Sequence, residues 1–326
     1  MTDVRAVERW FDDHGLPYFV VDQAETVEGW LSSRRIVALL VLLVGLGVGA
    51  GLTVGRTIGD ASDGVLAGTV IFVVLLALYA GRLLRMGTMV RWAVRRTFGS
   101  LGLLLPLLSR ALPLLLLAVT FLFINAEVWQ VAALMSRTVL WLSAGAFALV
   151  AAAFLLVRLP EEVAAVEREV VGDRLADCCS GTPAADLVDA ADVRVGGLPR
   201  FAGTNLVLVL LFSQAVQVLL LTAGLFAFFV VFGSLTIPPE TIESWTGHPV
   251  TELPSRLGRH LPLTNDLFQV AVFLAAFSGL YFTVYAVTDE TYRRQFFTGV
   301  SSQLERAVAV HAVYRAVRET ETEQST

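Results

Sequence analysis

Residues 205–232 read NLVLVLLFSQAVQVLLLTAGLFAFFVVF, 28 positions without a single charge. A helix of that length rises about 42 Å, more than the ~30 Å hydrocarbon core of a bilayer. Inside lipid every backbone amide must be satisfied internally, so a run of this kind is expected as a crossing helix, tilted or protruding at one end. Its polar interruptions are Asn205, Ser213, Gln214, Gln217 and Thr222, and the two glutamines fall near its middle. Composition agrees: 56% of the 326 residues are hydrophobic, 16% are charged and the mean hydropathy is +0.69. A water-soluble domain carries about 25% charged residues. The chain therefore reads as an all-α, polytopic membrane protein.

Six spans are expected, at about 36–54, 64–84, 111–133, 138–157, 205–232 and 267–288. A segment at 1–35 precedes them, and a loop at 158–204 separates the first four from the last two. A loop at 233–266 joins the fifth to the sixth, and 289–326 forms the tail. Residues 1–33 lack an apolar core of signal-peptide type, so none is expected there. Val4, Val7, Trp10 and Phe11 recur at helical spacing and predict a short amphipathic helix ended by Gly15 and Pro17. The loop predicts a second such helix from Val163, Val166, Val170 and Val171. The tail predicts a third through Phe297, Val300, Leu304, Val308 and His311, followed by a polar end. Arg158 and Pro160 are expected to close the fourth span. Arg110 moves the start of the third span past 101–108, which reads as a re-entrant or interfacial segment, because arginine at mid-membrane costs ~2.5 kcal/mol or more.

The string GLGVGA at 45–50 imitates a dinucleotide-binding fingerprint, but that loop needs a strand before it and a helix after it. Embedded in uncharged sequence, Gly45, Gly47, Gly49 and Gly51 read instead as small-xxx-small pairs (45/49, 47/51 and, with Gly55, 51/55) that let another helix approach closely. Asn125 and Glu127 lie in the outer half of the third span. Glu127 either sits at the membrane boundary or faces a cavity. Cys178 and Cys179 stand alone and adjacent, a vicinal redox pair or half of a metal site at most, since a zinc site needs about four ligands. His248 and His260 with Glu243 and Glu252 make only a sparse constellation, so no metal or cofactor is expected.

Arginine supplies all 24 basic residues. Divided by six spans, and with Arg82 in the last turn of the second span counted with the segment that follows it, the seven segments hold 4, 1, 6, 1, 5, 2 and 5 arginines in chain order. Basic residues collect on the cytoplasmic side, so both termini and the two arginine-rich loops are expected inside. Those arginines would attract anionic lipid head groups by about 1 kcal/mol each. Absence of lysine, with abundant Ala, Val, Leu and Gly, suggests a GC-rich bacterial source and hence the bacterial cytoplasmic (inner) membrane.

Three stretches carry a resemblance: GLPYFV at 15–20, FINAEVWQ at 123–130 and FSGLYFTVYAVTDETYRRQF at 277–296. Together they resemble uncharacterised polytopic integral membrane proteins of actinobacterial type. The resemblance implies no activity and no site residue.

Three function classes remain to be weighed. An enzyme is disfavoured: HExxH and GxSxG are absent, and His14, His248, His260 and His311 all fall outside the spans. A P-loop is impossible without lysine, and no soluble basic domain offers a nucleic-acid surface. A channel or transporter for a small solute or ion is motivated by Gln214, Gln217, Asn125 and Glu127, since polar groups in spans often line pathways. Yet the spans hold no mid-depth acid or base, no broken helix and no evident internal repeat. Glutamines also serve as interhelical glue. The sequence favours the third class, a non-catalytic assembly, scaffold or regulatory subunit, whose partners are the bilayer and other membrane subunits or a second copy of the chain.

Overall fold

A computed structural model describes residues 2–20, 33–58, 61–83, 86–99, 119–170, 173–188, 197–251, 263–288 and 290–324. The expected re-entrant segment at 101–108 lies outside these residues, as do His260 and Glu252. The described residues are helical, with no β-strand among them. They divide into two compact units, one of Met1–Ala93, Glu167–Val209 and Glu305–Thr326, the other of Val94–Val166 and Leu210–Leu304.

In the first unit, α1 (Thr2–Asp13) buries Val4, Val7 and Phe11 on one face, the stripe its sequence predicts. Gly15 then takes φ +73°, which a side chain would strain, and a 3-10 turn follows at Pro17–Phe19. α2 (Ser33–Ile58) and α3 (Ala61–Leu83) are long because apolar and small residues fill them with no proline to interrupt either. They meet through glycine. A Cβ on Gly47 would stand 2.9 Å from the Gly68 carbonyl oxygen, and one on Gly51 would stand 2.7 Å from that of Gly64. In return, a Cβ on Gly64 would lie 2.6 Å from the Gly51 oxygen. No side chain fits between these backbones.

Gly45 and Gly49 do not share this seam: among the described residues nothing comes within 4 Å of a Cβ at either. The reason is phase. At about 100° per residue, positions 45 and 47 point roughly 200° apart, so two overlapping glycine series cannot face one neighbour. The 47/51/55 series faces α3, while the other shares its side with exposed Val41, Leu42 and Leu52. α4 (Met86–Gly99) begins in this unit and buries Met89 and Ala93.

In the second unit, helical residues 119–123 stop at Ile124, and α5 (Ala126–Ala133) starts afresh. This corrects the third span, expected to run to about Ala133 as one helix. Asn125 is the cause: its backbone is extended and its side-chain oxygen accepts from the Glu127 amide at 2.8 Å, an N-cap. α6 (Arg137–Glu169) carries a second correction, because it runs straight through Arg158 and Pro160. Proline removes one helical hydrogen bond, and the flanking Ala, Leu and Glu sustain the helix on both sides.

α7 (Asp173–Cys179) belongs to the first unit. α8 (Arg200–Thr236) contains the 205–232 run and extends it at both ends. α9 (Pro239–Thr246) follows the proline pair, α10 (Asn265–Thr288) matches the expected sixth span, and α11 (Glu290–Gln324) closes the chain. In the second unit α8 and α10 touch where side chains are smallest: a Cβ on Gly279 would strike the Thr222 hydroxyl, and one on Gly233 would strike Leu267. Among the described residues three helices, α6, α8 and α10, are long and apolar enough to cross a membrane. Large apolar side chains on them, including Leu149, Val157 and Leu219, are exposed, as on a surface that meets hydrocarbon.

Candidate functional site

The middle of α8 carries three polar residues on one side. Ser213 and Gln217 are four apart and Gln214 lies between them, so successive turns bring all three to the same face. Gln214 is 0% exposed. Among the described residues neither its Oε1 nor its Nε2 has a hydrogen-bond partner, and the same is true of the Ser213 hydroxyl and the Gln217 Oε1. Leaving such a group buried and unmade costs about 1–3 kcal/mol. The cluster contains donors and acceptors and no titratable group. It can bind a polar molecule by hydrogen bonds, but it cannot move a proton by acid–base chemistry.

Asn125 and Glu127 are not brought to this cluster. Asn125 is occupied as the cap of α5, and Glu127 is an exposed residue of that helix's first turn. Around them is an aromatic block: the Trp129 indole donates to the Phe123 carbonyl at 2.6 Å, and Phe123 stacks on Phe229 with ring centres 4.9 Å apart. Trp245 of α9 packs tilted against Trp129, with ring centres 5.6 Å apart.

A side-chain relay that sequence reasoning missed ties the starts of α6 and α10. The Arg137 guanidinium donates to Asn265 Oδ1, Asn265 Nδ2 donates to Gln269 Oε1 at 2.6 Å, and Gln269 Nε2 donates to the Met135 carbonyl at 2.6 Å. Arg137 also rests over the Phe268 ring, 4.6 Å from its centre. The available signal was an Asn-x-x-x-Gln pair opening an apolar helix, four residues apart and so on one face. Asp266, buried beside them, has one oxygen 3.8 Å from His248 Nε2.

Between α6, α8 and α10 runs a groove of about 680 Å³. Trp141, Ala148 and Ala152 line it from α6, Val218 and Thr222 from α8, and Phe268 from the start of α10. Alanine on one wall and Gly279 on another leave the space open.

In the first unit, polar chemistry is structural. Asn205 is fully buried, and its side chain accepts from the Tyr18 amide at 3.0 Å and donates to the Gly15 carbonyl at 3.2 Å. His311 is packed against Phe19 and Phe11, with ring centres 4.7 and 6.3 Å away, and burial, with Arg315 adding, lowers its pKa to about 4. It is a neutral core histidine at pH 7. Cys178 is half-buried and Cys179 buried. Desolvation raises both thiols, that of Cys179 to about 11, so neither is an activated nucleophile. Among the described residues no three His, Cys, Asp or Glu side chains gather where they could hold a metal. No protein-family model, curated protein or solved structure matches the chain.

Proposed function

We propose that the protein is a non-catalytic assembly, scaffold or regulatory subunit of a bacterial cytoplasmic membrane, crossing it six times with both termini inside. The observation that carries this reading is the way α1 and the end of α11 are fastened together. Phe11 meets Tyr314 edge-on at 5.7 Å, and the Tyr314 hydroxyl donates to Glu8 at 3.0 Å. With Asn205 holding the loop that follows α1, the two terminal segments pack together within one compact unit and offer a surface to another protein. Alternating arginine density supports the threading. The glycine seam of α2 and α3 supports both as membrane helices, since close backbone approach is a common way for helices to associate in lipid.

The test is site-specific photo-crosslinking in cells from exposed Arg5 of α1, beside ion and solute flux measured on the purified protein in liposomes. One discrete protein adduct and no flux above empty vesicles is the expected result. Flux would overturn the reading.

Gln214 favours a second reading, a channel or transporter for a small solute or ion, because its amide is buried without partners. Gln214→Met decides between them. In a scaffold it removes an orphaned amide and stabilises the protein by roughly 1–3 kcal/mol. In a pathway it abolishes flux.

A further inference from the structure

We propose that the groove between α6, α8 and α10 binds one anionic phospholipid, with an acyl chain along its floor and the phosphate at Arg137. This goes beyond the scaffold reading and rests only on α6, α8 and α10 lying in a membrane.

The groove has a charged end and an apolar body. From Trp141 to Leu155 its α6 wall covers 14 residue steps, about 21 Å at 1.5 Å each. Arg137 lies one turn before Trp141 on the same face, and its guanidinium covers Phe268, a groove-lining ring. Its acceptor is the neutral amide of Asn265, and among the described residues no carboxylate pairs with it. Asp266, the acid next in sequence to Asn265, is turned toward His248. A guanidinium left with spare donors beside an apolar trough matches a phosphate ester carrying a long chain. Trp141, 59% exposed, stands at the same end, where an interfacial indole suits the head-group level.

The lining selects an acyl chain: about 680 Å³ runs along a wall of ~21 Å that is almost wholly apolar. The small residues Ala148 and Ala152 form the wall without filling it. Only Thr222 and Thr283 bring hydroxyls to the lining, and the Thr283 hydroxyl is already bonded to the Gly279 carbonyl at 2.8 Å. The body therefore prefers hydrocarbon to any polar guest.

The full-length protein, delipidated in mild detergent, is titrated with phosphatidylglycerol or phosphatidylcholine and the bound lipid counted by native mass spectrometry. One phosphatidylglycerol should be retained roughly tenfold more tightly than phosphatidylcholine, the size expected for a charge-assisted contact. Arg137→Gln should erase that preference, and Arg137→Lys should restore part of it. Ala148→Leu, a change at an exposed position that leaves the core intact, should weaken retention of both lipids. Arg158→Gln, at a charge already bonded to Glu161, should change nothing. Unaltered phosphatidylglycerol retention in Arg137→Gln overturns the proposal, and so does unaltered retention in Ala148→Leu. Equal competition by glycerol phosphate, which has no chain, also overturns it by showing that only the head group is held.

Discussion

The Tyr18 amide and the Asn205 side chain, 187 positions apart in the chain, share a buried hydrogen bond of 3.0 Å. The same carboxamide returns a bond to the Gly15 carbonyl, so one residue at the start of α8 satisfies both ends of the loop that follows α1. Asn205→Leu should orphan a buried N–H and a buried C=O at once, at about 1–3 kcal/mol for each. Asn205→Asp keeps the acceptor and loses the donor, so it should fall between. Limited proteolysis read at residues 1–20 is the check: cleavage should accelerate in the order wild type, Asp variant, Leu variant.

The glycine seam of α2 and α3 makes a prediction that depends on helical phase alone. Gly51→Ala inserts a methyl where the Gly64 oxygen already lies 2.7 Å away, and should cost about 1–3 kcal/mol, the usual range for overpacking. Gly49→Ala, two residues earlier, meets open space and should be neutral or gain up to about 1 kcal/mol from helix propensity. Thermal unfolding of the two variants in one detergent distinguishes them. Equal destabilisation would contradict the packing of this seam.

These cases mark what the sequence discloses. The sixth expected span and α10 differ by two residues at the start and none at the end, because uninterrupted hydropathy defines both. The α1 stripe was equally visible, since Val4, Val7 and Phe11 repeat at helical spacing. Of the two glycine series only 47/51/55 meets α3, because spacing identifies a series without saying which one faces that neighbour. Pro160 misled because a breaker acts on local backbone energy, while the sequences on both sides of it favour helix. Asn205 passed as a polar interruption of an apolar run, since nothing in a linear reading reveals a partner at Tyr18. The relay from Arg137 to Met135 was hidden for the same reason: two of its three links are tertiary, and only the Asn265–Gln269 pair is local. Gln214 was singled out for its place in an apolar helix, and its lack of partners became visible only in three dimensions.

His311 predicts a pH dependence of known sign. Its pKa falls from the usual 6.5 to about 4, first through burial among Phe11, Phe19 and the rest of the unit, then through Arg315. Between those two values the unfolded chain binds a proton that the folded one refuses. The contribution to stability is therefore complete above pH ~6.5 and is lost as pH falls toward 4. By linkage it amounts to about 3 kcal/mol at most. Chemical denaturation followed by Trp10 fluorescence should show the loss in the wild type. His311→Phe, which keeps an aromatic ring against Phe19, should flatten the profile over that window.

The adjacent thiols offer a test of threading, because the structure separates their reactivity. Cys179 is buried with a thiol raised to about 11, so at pH 7 it should stay unlabelled by maleimides. Cys178 is only half-buried, and its thiol is raised as well, so it should react slowly but measurably. With the loop at 158–204 on the cytoplasmic side, a membrane-impermeant maleimide should label permeabilised cells and leave intact cells unlabelled. Cys178→Ser should remove that label, and Cys179→Ser should leave it. Labelling of intact cells at Cys178 would place this loop outside and invert the arginine-based orientation of the whole chain. Labelling lost equally in both variants would mean instead that the two thiols react as a pair, against the burial that separates them.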